Sequence, residues 1–231
     1  MLSHKIDDSA YGTKKTIDHI STIRKKENQL YLSEKKFFLK VINNASTFLD
    51  LGCATGNFIE IIRSKTKIKD YLGIDVSKNM IERAKLEYPG YKFLHYDGKF
   101  LRVKKKFDLS FCFGTLEYCN NYESLIRQML NLTNKFLIFD LRLTFEPTLI
   151  NKKKSYQIIP KSGGRRLSYN IVNFHHCTKF LLNITKFNYS LNLFGYKQKP
   201  SKSVTTKYKN VIMTSVLIDK TRKFELKIDL N

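Results

Sequence analysis

From residue 47 to residue 143, short apolar runs alternate with amphipathic stretches, and nothing else in the 231-residue chain constrains its fold so tightly. Thr47–Leu51 (TFLDL), 71–75 (YLGID), 91–96, 107–113 (FDLSFCF) and 135–143 (KFLIFDLRL) have strand length and strand composition. Between them, 57–65, Lys78–Glu87 and 122–132 carry helical periodicity, with Ser77 placed to cap the second helix and Pro89-Gly90 to stop it. Strands joined through helices require right-handed crossovers and a parallel sheet covered on both faces. The expected class is therefore α/β, with a doubly wound, mostly parallel sheet.

The flanks are read separately. The polar stretch 1–15 is expected to be mobile, and Ile17, Ile20, Ile23, Leu30, Phe37, Phe38 and Val41 predict helix between Lys15 and Asn43. After residue 145, two strand-like runs, 155–160 and 166–174, flank Ser162-Gly163-Gly164 as a hairpin. A helix over 178–187, strands over 191–198 and 210–219, and a short charged tail over 220–231 complete the chain. The expected organisation is a single domain in three parts. These are an N-terminal helical lid (1–46), a ligand-binding core (47–145) and an acceptor-side insertion with the closing strands (146–231).

Chemistry concentrates where strands end. In Phe48-Leu49-Asp50-Leu51-Gly52-Cys53-Ala54-Thr55-Gly56-Asn57-Phe58, an apolar strand with an acid leads through a glycine turn into a helix. Gly52 permits a tight turn and close backbone approach, and the crevice at the strand's carboxyl end is where doubly wound sheets bind ligands. A dinucleotide fingerprint would read G-x-G-x-x-G. Here Asp50 precedes the glycines, which suits a cationic amino-acid tail or sulfonium better than a pyrophosphate. The next strand also ends in an acid, Asp75, 19 residues beyond Gly56, where a carboxylate can accept both hydroxyls of a ribose.

These runs resemble the class I S-adenosylmethionine-dependent methyltransferase family, whose first motif is similar to hydrophobic-D-x-G-C-G-x-G. Ala54 stands where the family usually has its middle glycine, and a slightly altered loop is expected. The resemblance implies a seven-stranded Rossmann-like sheet and S-adenosyl-L-methionine as cofactor, with S-adenosyl-L-homocysteine as product. Its implied cofactor-binding set is Asp50, Gly52, Cys53, Ala54, Gly56, Asn57, Asp75, Val76, Met80, Tyr96, Asp97, Gly98, Phe113, Gly114 and Tyr118. Within it, Asp75 takes the ribose. Asp97 takes the adenine amino group, with Tyr96 or Gly98 alongside, and Phe113 and Gly114 line the methionine moiety. The run Phe107–Tyr118 resembles the fourth-strand segment of small-molecule methyltransferases. It places Leu116, Glu117 and Tyr118 near the methyl group, while the N-P-P-Y run of base and glutamine methyltransferases is absent. Glu117 is a candidate base or acceptor-orienting group, and equally a helix cap. His175 and His176 are further catalytic candidates, at most one of which faces the pocket if both lie on a strand. Tyr11 and Tyr31 are candidate lid residues.

The charge is strongly basic, 42 Lys and Arg against 20 acids, which admits an anionic partner such as RNA. Most of it is lysine, however, whereas readers of phosphate and base edges lean on arginine. A small-molecule or glycan acceptor is the favoured expectation. An RNA or protein methyltransferase and a non-catalytic cofactor-binding domain are the alternatives. Cys53, Cys112, Cys119 and Cys177 show no zinc spacing, so no metal is expected and reduced thiols in a cytoplasmic protein are. No secretory signal and no membrane span is expected either.

Overall fold

A computed structural model describes residues 8–99 and 101–231; the polar start, 1–7, lies outside the described residues. The N-terminal part contains α1 (Lys14–Ile20) and α2 (Leu32–Val41), separated by a linker with a single 3-10 turn at Glu27–Gln29. The helical pattern expected across 15–43 thus breaks in two. The break falls at Arg24-Lys25-Lys26-Glu27-Asn28, which supplies no apolar residue to bury, and Arg24 turns the chain with a left-handed φ of 59°.

The core then alternates as expected. β1 (Thr47–Leu51), α3 (Phe58–Arg63), β2 (Asp70–Asp75), α4 (Lys78–Glu87), β3 (Lys92–His95), β4 (Phe107–Cys112), α5 (Tyr122–Asn131) and β5 (Thr133–Thr144) follow one another. β1 pairs in parallel with both β2 and β4, β2 with β3, and β4 with β5. Ser77 caps α4, its Oγ accepting the Met80 N–H at 3.4 Å.

The remaining elements are β6 (Tyr156–Ile158), β7 (Arg166–Ser168), β8 (Val172–Asn173), α6 (Phe174–Thr185), β9 (Ser190–Gln198), β10 (Val204–Thr205), β11 (Val211–Asp219) and β12 (Leu226–Leu230). The main sheet runs β12-β9-β11-β5-β4-β1-β2-β3, with β11 antiparallel to both its neighbours. It exceeds seven strands because β12 joins its edge and the short β8 pairs with the end of β5. β12 comes from the segment read as a charged tail. Leu226, Ile228 and Leu230 alternate there with Lys227 and Asp229, a strand period that the surrounding charge obscures. The hairpin appears as β6 and β7, which with β10 form a separate three-stranded sheet.

Side chains along each strand divide between two cores with a period of two. Phe48, Phe111 and Ile138 pack on one face with Phe37 and Phe38 of α2 and Ile59 and Ile62 of α3. Leu49, Leu51, Leu137 and Phe139 pack on the other with Leu125 and Ile126 of α5 and Phe180 and Leu181 of α6. Phe38 meets the edges of Phe111 and Phe113 at centroid distances of 5.0 and 5.7 Å. Such pairs add about 0.5–1.5 kcal/mol each beyond area burial. This cluster forms a stiff backing to the strand ends at which the site lies.

Candidate active site

The glycine turn after β1 is set by its neighbours. The Gly52 and Cys53 N–H groups donate to the Ile74 carbonyl at 2.7 and 3.1 Å, tying the turn to β2. Gly52 has φ +78°, and a Cβ there would stand 2.1 Å from Thr115 Oγ1, so only glycine lets the β1 and β4 ends close together. Ala54 holds a left-handed conformation, with φ +47°. The turn therefore carries strain of about 1–2 kcal/mol at this residue. Asp75 Oδ2 accepts the Ala54 N–H at 2.9 Å and Oδ1 accepts the Ser77 N–H at 2.8 Å. One carboxylate thus joins the turn to the start of α4. Burial raises its pKa, and these backbone donors oppose the rise.

A cavity of about 400 Å³ opens at this turn. One wall is built of Gly52, Cys53, Ala54, Asp75, Val76, Met80 and Tyr96, continuing through Phe113, Gly114 and Thr115. Over it lie Tyr11, Ile20, Ile23, Arg24 and Tyr31 from the N-terminal part. That part is tied down from several sides. Asn57 Nδ2 donates to the Ile20 and Ile23 carbonyls, both at 2.7 Å, and Asn79 Nδ2 to that of Gly12 at 3.2 Å. Thr13 Oγ1 donates to the Lys161 carbonyl of the hairpin at 3.1 Å. The far end is lined by Glu117, Tyr118, Arg142, Ile159, Leu167 and Tyr169, with the Tyr118 hydroxyl donating to Gln157 Oε1 at 2.7 Å.

Most of the residues singled out from the sequence meet on this cavity; a few do not. Asp50 is buried beneath the turn, where it accepts the Tyr71 hydroxyl at 2.7 Å, and burial pushes its pKa up to about 7. Gly56 sits against the rings of Phe93 and Tyr88. Asp97 is exposed in the loop after β3 and accepts the Lys99 N–H at 2.9 Å, while the Gly98 carbonyl accepts Asn121 Nδ2 at 3.3 Å. His175 and His176 are not strand residues. α6 begins at Phe174, capped by Asn173, which accepts the His176 N–H at 3.0 Å. Both histidines fall in the first turn of the helix and neither lines the cavity. His176 Nε2 instead pairs with Glu123 at 2.7 Å, and His175 packs on Phe145 and Phe174.

A buried charge network escaped the sequence reading. Arg142 donates from Nη1 to Asp140 Oδ2 at 2.6 Å and from Nη2 to Glu117 Oε1 at 2.7 Å. Asp140 Oδ1 accepts the Gly114 N–H at 2.7 Å. Arg24 donates to Glu34 Oε1 at 2.6 Å and to the Phe113 carbonyl at 3.1 Å, and Glu34 Oε2 accepts the Tyr31 N–H at 2.9 Å. Burial pushes Glu117 up to about 7, with Arg142 pulling the other way and Asp140 adding to the rise. A signal for part of this was present: Asp140 and Arg142 share a face of an apolar strand, and buried charges require partners. Glu117 Oε2 and the Tyr96 hydroxyl, both in residues lining the cavity, have no hydrogen-bond partner among the described residues. Among those residues no group of His, Cys, Asp or Glu could hold a metal ion, and no helix is long and apolar enough to cross a membrane.

Residues 49–135 match the model of a methyltransferase domain family. The chain is 26% identical over 196 residues to the methyltransferase-type protein 235L of Invertebrate iridescent virus 6, covering 82% of this chain and 70% of the viral one. It is 26% identical over 183 residues to malonyl-[acyl-carrier protein] O-methyltransferase of Buchnera aphidicola, covering 78% and 71%. In fold it is similar to an S-adenosylmethionine-dependent methyltransferase of Clostridium acetobutylicum, with a TM-score of 0.57 at 17% identity over 87% of this chain and 98% of the other. The N-terminal domain of EvdMO1 with SAH bound superimposes with the same score of 0.57, at 14% identity over 90% and 82%.

Proposed function

The chain is a class I S-adenosylmethionine-dependent methyltransferase, and from that premise we propose that it methylates a small-molecule acceptor on oxygen, enclosed at the far end of the cavity. The observation that carries this reading is the convergence of the Gly52–Ala54 turn, Asp75 and Gly114 on one wall of a cavity that the chain's own N-terminal part and hairpin cover. Here residues 8–46 act as a lid, 47–145 hold the cofactor and the hairpin shapes the acceptor end.

The residues suit an adenosyl cofactor. Two of the lone-pair positions on Asp75 are used by backbone amides, which leaves others for the ribose hydroxyls. The unpartnered Tyr96 hydroxyl, with Val76 and Met80, suits the adenosyl end, and Gly52, Cys53, Ala54, Phe113 and Gly114 allow close approach of the methionyl tail. Asn57 acts through the lid it tethers, and Asp50 by supporting the turn from below. The cofactor supplies a methyl group already activated on a sulfonium. The protein's part is to align the acceptor with it and exclude water.

Calorimetric titration of S-adenosylhomocysteine into the wild type and Asp75→Ala tests the assignment. Loss of a charged hydrogen-bond acceptor should weaken binding by roughly 1.5–3 kcal/mol. Equal affinity in the two proteins removes Asp75 from the site.

A further inference from the structure

β12 ends the main sheet and leaves its edge open. Residues 221–229 are all exposed, so no described element covers this strand. The ladder to β9 fixes which backbone groups are free. The Glu225 carbonyl accepts the Leu191 N–H at 2.8 Å, the Asn231 N–H donates to the Gly195 carbonyl at 3.0 Å, and the Asn231 carbonyl accepts the Lys197 N–H at 2.9 Å. Odd-numbered residues therefore turn their amides inward to β9. The N–H and C=O groups of Leu226, Ile228 and Leu230 point outward, with no strand of this chain to meet them. Such an edge is a template for another strand, and proteins usually blunt it with proline, a bulge or lysines. There is no proline from Lys220 to Asn231, and the charges on β12 are of both signs. Leu226-Lys227-Ile228-Asp229-Leu230 is symmetric about Ile228 in its apolar residues and antisymmetric in its charges.

The side chains divide by face. Asp229 reaches Lys36 of α2 at 3.7 Å and Lys227 reaches Glu225 at 2.8 Å, both exposed pairs that cost little to exchange. On the other face Leu230 packs against the core beneath α6, while Leu226 and Ile228 are 38% and 43% exposed. Just ahead of the strand, exposed Phe224 holds its ring against exposed Phe187 at 5.1 Å.

We propose that this edge is the contact of a homodimer, in which β12 of one copy pairs antiparallel with β12 of a second about a two-fold axis at Ile228. A two-fold contact must be complementary to itself. In this register the outward amides of Leu226, Ile228 and Leu230 exchange hydrogen bonds. Ile228 meets its counterpart and Leu226 meets Leu230 on the apolar face, which leaves water. Lys227 of each copy lies opposite Asp229 of the other. Opposite charges directly across a strand pair stabilise it, and like charges destabilise it. Moving the axis by one residue sets Lys227 against itself and Glu225 against Asp229. An axis at Leu226 again matches charge, Glu225 with Lys227 and Lys223 with Asp229, but it pairs strand residues with 222–225, which lie outside β12. The dimer stands apart from the catalytic reading and does not depend on it.

Sedimentation velocity on the full chain tests the proposal. The wild type should pass from monomer to dimer as its concentration rises to roughly 100 µM, the range of a small interface. Ile228→Pro removes the outward donor at the axis and costs β12 no bond to β9, so it should stay monomeric. Lys227→Glu and Asp229→Lys each set like charges face to face twice, and each should weaken association by about tenfold or more. Mixed in equal amounts, K227E and D229K should form a heterodimer, because every introduced charge then faces an opposite one. An axis at Leu226 gives no such rescue, since K227E would still face Glu225. A wild type that stays monomeric up to roughly 0.5 mM, a dimer that survives I228P and both charge changes, or a mixture that fails to restore association overturns the proposal. Should I228P fail to fold by circular dichroism, the charge variants, which alter only exposed side chains, decide.

Discussion

The two ends of the cavity are built by different means. The wall at the β1 and β2 ends is made chiefly of backbone: a turn with Gly52, Ala54 and Gly56 all at positive φ, pinned by amides to Ile74 and Asp75. The far wall is made of side chains, with Glu117 from the turn after β4 and Arg142 from β5 held by Asp140, while Arg24, held by Glu34, covers the cavity from the N-terminal part. The first kind of site depends on conformations that a short stretch of chain dictates. The second depends on charges that are tolerable only while their partners stay in place.

The largest effect should come from breaking the second wall. Arg142 is 4% exposed, and Arg142→Met leaves Asp140 and Glu117 buried without their common partner. The expected loss is about 3–5 kcal/mol. At about 2–4 °C per kcal/mol for a chain of this size, the melting temperature should fall by roughly 10 °C. A fall of only a degree or two would mean that the network does not hold this wall together.

The next test compares the walls through their acids. Burial raises Glu117 from its ordinary value of 4.5, and Asp50 from 3.8, each to about 7. The groups acting on Glu117 are Arg142 and Arg24, which favour its charge, and Asp140, which opposes it. Those acting on Asp50 are Tyr71 and Arg24, which favour charge, and Asp75, which opposes it. Between the ordinary values and about 7, the folded chain binds more protons than the unfolded one. Stability therefore falls as pH rises through that window and levels off above it. Urea unfolding at a series of pH values should show this slope. It should be shallower in Glu117→Gln, with the remainder belonging to Asp50, Asp75 and Glu34, which burial also raises. A slope unchanged by the substitution would remove Glu117 as a contributor.

The smallest effect belongs to the backbone wall. Ala54→Gly relieves the left-handed strain, and the gain is offset by the greater freedom of glycine in the unfolded chain, so the net change should stay within about 0.5 kcal/mol. Unfolding curves and S-adenosylhomocysteine titration should both stay close to the wild type. A large loss of affinity would show that the Ala54 methyl group itself takes part in binding.

What could be read in advance follows the same division. Ser77, Asp75 and the turn glycines are placed by their own neighbourhood, and they stand where strand period and cap chemistry put them. His175 and His176, expected just before a helix over 178–187, fall in the first turn of α6 because Asn173 caps that helix ahead of the apolar pattern. β12 was missed because alternation under a high charge density looks like a solvated tail until β9 is present to pair with it. The break at Arg24 was visible as missing apolar residues, but its purpose was not, because the cation finds Glu34 only once the linker folds back.

By itself, then, the sequence determined that this chain forms a mostly parallel α/β sheet with a glycine turn and a carboxylate where β1 and β2 end. Strand period, helix caps and glycine turns act over a few residues and need no distant partner. Only the tertiary structure decided that Glu117 meets Arg142 across 25 positions and Arg24 meets Glu34 across 10, and that one buried carboxylate oxygen is left over. Apolar patterning can mark a residue as buried. Which charge it will face inside is settled by packing, because the partner arrives from another element of the fold.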